Sequence, residues 1–177
     1  MCGSGTFLIE AAEIAAGLAP GRLRPFAFER LANHDASGWN AVKRDLPPAV
    51  EIPPIQGFDR DPGAIAASTA NIERAGFGGR IALAQQPISA LTRPPGRPGL
   101  VIVNPPYGSR IGNAKTLRGL YATLGKVMMA EFAGWRAAIV TSAPELARAT
   151  GLPFRTHSAP IPHGGLRVSL WQTGPLG

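Results

Sequence analysis

Leu100-Val101-Ile102-Val103-Asn104-Pro105-Pro106-Tyr107 is the stretch on which the reading of this chain turns. Four consecutive apolar, mostly β-branched residues read as a strand buried in a parallel sheet. Pro105 and Pro106 directly behind it end the strand and fix a rigid, non-helical loop. Asn104 brings a carboxamide to that loop and Tyr107 an aromatic plate. A carboxamide oxygen and a prolyl carbonyl can together accept both hydrogens of an exocyclic amine. A tyrosine face can stack on the ring that carries the amine. Such a loop suits a flat, amine-bearing ring such as a nucleobase. A plain proline-rich turn is the other reading of a Pro-Pro pair. Asn before it and Tyr after it, behind a Val/Ile strand, favour the functional one.

Outward from this point, strand-like and helix-like segments alternate, which argues an α/β fold with a mostly parallel sheet. Helices are expected over residues 7–18, stopped by Pro20-Gly21, and around 36–46 within an irregular stretch from 22 to 52. A short strand follows over 55–58. Asp61 and Pro62 are a cap and first-turn pair for a helix running to about residue 75. Further strands are expected over 81–84 and 136–141. Helices are expected over 115–132 and 144–149, the second ended by Gly151. The strands at 154–160 and 166–173 flank a Pro162-His163-Gly164-Gly165 turn, so they should run antiparallel.

The first residues, Met1-Cys2-Gly3-Ser4-Gly5-Thr6, form a Gly-x-Gly loop that opens into a helix. Glycines let a ligand approach the backbone, and a helix N-terminus offers unpaired N–H groups to anionic oxygens. The pattern is generic by itself. It gains weight from Asp59, which ends the next strand and can grip ribose hydroxyls. A dinucleotide fold places that acid roughly 20 residues on. Here it lies 54 positions beyond Gly5, so an insertion fills the gap. Asp61 reads as a helix cap instead. No Gly-x4-Gly-Lys-Ser/Thr loop occurs, which argues against triphosphate hydrolysis, and the third glycine of a hydride-transfer site is lacking. A nucleoside cofactor without a pyrophosphate fits better, which points to S-adenosylmethionine.

Composition sets outer limits. The 177 residues fit one domain, 1–177, and 45% apolar content supports a full core. No run reaches the ~18 apolar residues of a membrane span. The 7–18 stretch carries Glu10 and Glu13, unlike a signal peptide, so a cytoplasmic location is expected. The single Cys2 excludes an internal disulfide and a cysteine-built zinc site. His34, His157 and His163 follow no metal spacing, so no metal is expected, and Trp39, Trp135, Trp171 and Met128-Met129 read as packing residues. The net charge of +7 and pI near 10.7 favour a polyanionic partner. The competing reading is a genome-wide arginine bias, since 15 of the 18 basic residues are Arg.

Met1-Cys2-Gly3-Ser4-Gly5-Thr6, Gly57-Phe58-Asp59-Arg60-Asp61-Pro62 and Asn104-Pro105-Pro106-Tyr107-Gly108-Ser109-Arg110, in this order, resemble the THUMP-associated class I RNA methyltransferases. The resemblance runs from the glycine loop to the closing Gly164-Gly165-Leu166-Arg167-Val168-Ser169-Leu170 strand. It implies a Rossmann-like class I methyltransferase sheet with a C-terminal antiparallel hairpin, and S-adenosylmethionine as cofactor. Family members methylate the exocyclic N2 of guanine in large-subunit ribosomal RNA, and relatives act on tRNA. By that resemblance Gly3, Ser4, Gly5 and Thr6 line the methionine part of the cofactor, Asp59 holds its ribose and Arg60 flanks the adenine. Asn104 and the Pro105 carbonyl orient the target amine, with Pro106 completing the tetrad. Tyr107 stacks on the base, and Arg110 meets a phosphate.

Two departures from the family pattern stand out. An acidic residue usually ends the third strand and contacts the adenine amine. Here Ala84-Gln85-Gln86-Pro87 occupies that place, with Pro87 at the acid's position and Gln86 or a backbone carbonyl as its substitute. The family also places a strand ending in Asp-Pro before the glycine loop, and THUMP residues further upstream. This chain starts inside the motif, so an N-terminally truncated catalytic domain is expected, with its first strand missing, no THUMP domain and apolar sheet edges exposed. Two alternatives stay open: adenine-N6 methylation of DNA, whose enzymes share the tetrad, and a non-catalytic remnant that binds RNA. The sequence specifies no oligomeric state.

Overall fold

The computed structural model describes all residues except 23, 45–50 and 108–113. Their contacts divide the chain into two units. One holds Cys2–Gly57 and Gly63–Ala84, and the other Met1, Phe58–Pro62 and Gln85–Gly177.

The first unit is built around helices α1 (Thr6–Ala15) and α3 (Pro62–Arg74). Strands β1 (Ile55–Asp59) and β2 (Ile81–Gln85) pair with each other in a two-stranded sheet, and their last residues belong to the second unit. Helix α1 stops earlier than the Pro20-Gly21 signal suggests. Gly17 takes φ +66° and Leu18 N–H reaches back to the Glu13 carbonyl at 2.9 Å, a left-handed glycine stop. Ala12 of α1 and its C-cap Ala16 are fully buried and pack with Ile72, Phe77 and Ile81. Gly57 belongs to the same packing, because a Cβ there would run into the Leu8 side chain. The 22–52 stretch carries a 3-10 turn (Ala27–Arg30) and helix α2 (Ala36–Arg44). Asp35 Oδ1 caps α2 by accepting the Gly38 N–H at 3.0 Å. The expected end of this helix, at residue 46, lies outside the described residues.

The second unit is a sheet in the order β3 (Leu100–Val103), β4 (Arg136–Thr141), β7 (Leu166–Thr173), β5 (Phe154–His157), with β6 (Ile161–His163) also paired to β7. Strand β3 runs parallel to β4, with Leu100 opposite Arg136. β7 runs antiparallel to β4, β5 and β6. The strand expected over 154–160 is two strands. It ends at His157, and after Ser158–Pro160 a second begins at Ile161, so Pro162-His163 belongs to a strand rather than to the turn. The turn itself is Gly164-Gly165, with φ +54° and +82°, the two positive values a tight hairpin needs between His163 and Leu166.

Helix α4 (Ala114–Glu131) supplies the core of this unit. Leu117, Tyr121, Leu124, Met128 and Phe132 recur every three or four residues and pack on Ala137 and Ile139 of β4 and on Leu146 of helix α5 (Pro144–Ala149). Met128 is buried as a core filler, while Met129 faces outward. The buried Tyr121 hydroxyl donates to Thr141 Oγ1 at 3.3 Å, and burial raises its pKa. Gly125, on the packed side of α4, lies so close to the Thr150 carbonyl that no Cβ fits. One expectation needs correction. Strand β3 is buried on one face only, since Val103 is buried while Leu100 and Ile102 are exposed at the end of the sheet.

Candidate active site

The tetrad leaves β3 on a firm support. Val103 and Pro105 are buried, and Pro106 and Tyr107 are half-buried. Tyr107 packs against the α4 core. Asn104, between two buried residues, is exposed. The two prolines deny the following backbone a helical path, so the carboxamide is presented from a backbone with little freedom.

The same unit holds the loops that follow β1 and β2, and hydrogen bonds tie them together. Gln86 N–H donates to the Asp59 carbonyl at 2.7 Å, and Gln85 Nε2 donates to the Arg60 carbonyl at 3.1 Å. Asp59 Oδ1 accepts the Asp61 N–H at 3.1 Å, an Asx turn that orients the carboxylate at the strand end. Its Oδ2 lies 4.0 Å from the Met1 nitrogen, which donates to the Phe58 carbonyl. Gln86 Nε2 donates to the Ala90 carbonyl at 2.6 Å, so this side chain is committed to the local 3-10 turn.

In the other unit the glycine loop is fastened from beneath. Gly3 and Gly5 take φ +57° and +81°, the left-handed region that costs a side chain about 1–2 kcal/mol. Gly5 is the N-cap of α1, and its carbonyl accepts the Leu8 and Ile9 N–H groups. The Thr6 and Phe7 N–H groups therefore have no intrahelical acceptor and suit an anionic group. Ser68 on α3, fully buried, donates to the Gly3 carbonyl at 2.8 Å, and Asn71 Nδ2 donates to the Ser4 carbonyl at 2.8 Å. A Cβ on Gly5 would sit 3.2 Å from Ser68 Oγ and 3.4 Å from its Cα. A Cβ on Gly3 meets nothing within 4 Å among the described residues. One glycine is thus required by packing, while the other leaves its outer side open to a ligand.

Asp59, Arg60 and Gln86 are brought together in one unit, which also carries Asn104, Pro105, Pro106 and Tyr107. Gly3, Ser4, Gly5 and Thr6 lie in the other. Arg110 falls outside the described residues. Ser68 and Asn71, which support the glycine loop, and Gln85, which supports the loop after β1, escaped the sequence reading. The available signal was two polar residues, Ser68 and Asn71, three apart on the face of α3 that carries buried Ile72. No group of three His, Cys, Asp or Glu side chains able to hold a metal occurs among the described residues. No helix among them is long and apolar enough to cross a membrane.

A Rossmann-like α/β scaffold with a glycine loop opening into its first helix, a carboxylate at a strand end and Asn-Pro-Pro-Tyr behind another strand defines the class I methyltransferase fold. The family described as UPF0020, RMKL-like methyltransferase domain, matches residues 1–163, and the chain belongs to it. A curated relative, the ribosomal RNA large subunit methyltransferase K/L of Allochromatium vinosum, is 44% identical over 168 residues, covering 89% of this chain. The chain spans only 21–23% of the length of the curated relatives it matches first. Among solved structures, SMU.472, solved in complex with SAH, superimposes with TM-score 0.89 at 29% identity, over 100% of this chain and 47% of the other. A predicted N6-adenine-specific DNA methylase from Listeria monocytogenes superimposes with TM-score 0.79 at 28% identity, over 99% of this chain and 45% of the other.

Proposed function

We propose that residues 1–177 are the catalytic domain of a cytoplasmic, S-adenosylmethionine-dependent RNA methyltransferase. Its target is the exocyclic N2 of guanine, in large-subunit ribosomal RNA first and tRNA second. The observation that carries this reading is the exposed Asn104 held between buried Val103 and Pro105 in a chain of the RMKL-like methyltransferase family. The complex of SMU.472 with SAH supports the cofactor, and the name of the Allochromatium relative supports the substrate.

Each residue then has a limited task. The open side of Gly3 and the N–H groups of Thr6 and Phe7 receive the cofactor's amino-acid end, with Ser4 beside them. The pre-oriented Asp59 carboxylate accepts its ribose hydroxyls, and Arg60 flanks the adenine. When bound, the cofactor supplies an electrophilic methyl group on a sulfonium. The Asn104 carboxamide oxygen and the Pro105 carbonyl accept the two amine hydrogens and turn the nitrogen lone pair toward that methyl. Tyr107 holds the base by stacking, and Arg110 takes a phosphate. No strong base is required, because orientation alone can supply about 7–11 kcal/mol of a barrier.

The test is Asn104→Ala. Methyl transfer to guanine is expected to fall at least about a hundred-fold, the scale for removing one oriented polar contact in a reacting site. SAH affinity is expected to change less than about two-fold. Unchanged turnover sinks the assignment. The second reading, adenine N6 of DNA, is favoured by the likeness to the Listeria methylase. Nucleoside mass spectrometry after reaction with RNA and with DNA separates the two.

A further inference from the structure

The segment between α1 and β1 carries an aromatic cluster that the proposed chemistry does not use. Phe26 and Phe28 stack with centroids 5.6 Å apart and planes at 19°. Trp39 of α2 stands edge-on to both, at 5.7 Å and 5.0 Å, and His34 lies 5.7 Å from Phe28. Two cations sit on these rings: Arg24 Cζ is 4.8 Å from the centre of Phe26, and Lys43 Nζ is 4.9 Å from the centre of Trp39. A closed core would hide such rings, yet Phe28 is 40% exposed. The arrangement is braced by polar contacts. The Glu29 carboxylate accepts the Phe26 N–H at 2.8 Å and pairs with Lys43 at 3.7 Å, tying the 3-10 turn to α2.

The geometry points to a binding site for single-stranded RNA, with an unpaired base stacked on the exposed side of Phe28 and Arg24 and Lys43 beside its phosphates. Every base has a π-face, so aromatic plates flanked by cations bind single strands with little sequence preference. The charge fits. Residues 22–44 contain five basic side chains against two acidic ones. An apolar protein-docking patch would not need cations seated on its rings. The site rests on the RNA reading above and extends it. It gives the domain a hold on unpaired strands separate from the groups that would orient the reacting amine.

The test uses the full chain and a short, mixed-sequence, fluorescein-labelled single-stranded RNA, with affinity read by anisotropy and SAH affinity read in parallel. Phe28→Leu keeps an apolar side chain but removes the plate. It is expected to weaken RNA binding about ten-fold while SAH affinity stays unchanged. Phe28→Trp is expected to restore it. Arg24→Ala is expected to flatten the salt dependence of binding by about 0.7 in log–log slope, one phosphate contact on a single strand. Equal RNA affinity for the parent chain and Phe28→Leu overturns the inference and leaves the methyltransferase reading standing, as does a parent chain that binds SAH but no RNA. Failure of Phe28→Trp to restore binding overturns it too, since Phe28 is then a packing residue. A parent chain that binds RNA through Phe28 but does not bind SAH keeps the inference and removes the catalytic reading.

Discussion

The glycine loop gives a prediction that separates packing from ligand binding. Gly5→Ala forces a side chain into φ +81°, which costs about 1–2 kcal/mol. Its Cβ also meets Ser68 at 3.2–3.4 Å. Ser68 cannot yield without disturbing its 2.8 Å bond to the Gly3 carbonyl, worth about another 1 kcal/mol. The total is about 2–3 kcal/mol. For a chain of this length each kcal/mol lowers Tm by about 2–4 °C, so a fall of about 4–12 °C is expected. Gly3→Ala, at φ +57°, carries the same strain without the contact, about 1–2 kcal/mol and about 2–8 °C. Its methyl group, however, projects to the side where the cofactor is proposed to sit. Circular dichroism melts and calorimetric titration with SAH read the two effects apart. Gly5→Ala should lose more stability, and Gly3→Ala should lose at least about ten-fold in SAH affinity. Equal melting of both variants refutes the packing argument at Ser68. SAH affinity untouched in Gly3→Ala refutes the placement of the ligand against this loop.

Two further outcomes follow from contacts elsewhere in the fold. Gly125→Ala places a Cβ against the Thr150 carbonyl. The gain of about 1 kcal/mol in helix propensity is outweighed by forced separation of α4 from the α5 loop, so a net loss of about 2 kcal/mol is expected in urea denaturation, and a stabilised variant refutes the contact. The Glu29 pKa is lowered, first by the Phe26 N–H and then by Lys43. A depressed carboxylate stabilises the fold above its unfolded pKa, near 4.5, and that contribution is lost as pH falls through the lower folded value. Glu29→Gln should therefore flatten the acid side of the stability–pH curve below about pH 4.5 and leave the neutral range unchanged in slope. An identical acid limb in both proteins refutes the bond.

Local chemistry determined much of this protein before any coordinates. The strand over Leu100–Val103, the prolines that end it, the short helix Pro144–Ala149 and the strand Leu166–Thr173 fall where residue type and spacing put them. Those signals act within a few residues: β-branching, the missing proline N–H, and the 3.6 period of Leu117, Tyr121, Leu124 and Met128. The nucleotide-type loop and the Asn-Pro-Pro-Tyr tetrad are legible for the same reason, since each carries its chemistry in consecutive residues. Tertiary structure decided what depends on distant partners. That β3 buries one face only follows from what packs on it, since Val103 joins the α4 core while Leu100 and Ile102 on the opposite face are exposed. That Gly5 is required by Ser68, Gly57 by Leu8 and Gly125 by Thr150 follows from helices approaching strands and loops across 25 to 63 positions of sequence. The ring cluster of Phe26, Phe28 and Trp39 likewise exists only because α2 folds back on the 3-10 turn. A sequence displays which side chains can stack, cap or accept a hydrogen bond. Which of them meet is set by the packing of elements far apart in the chain.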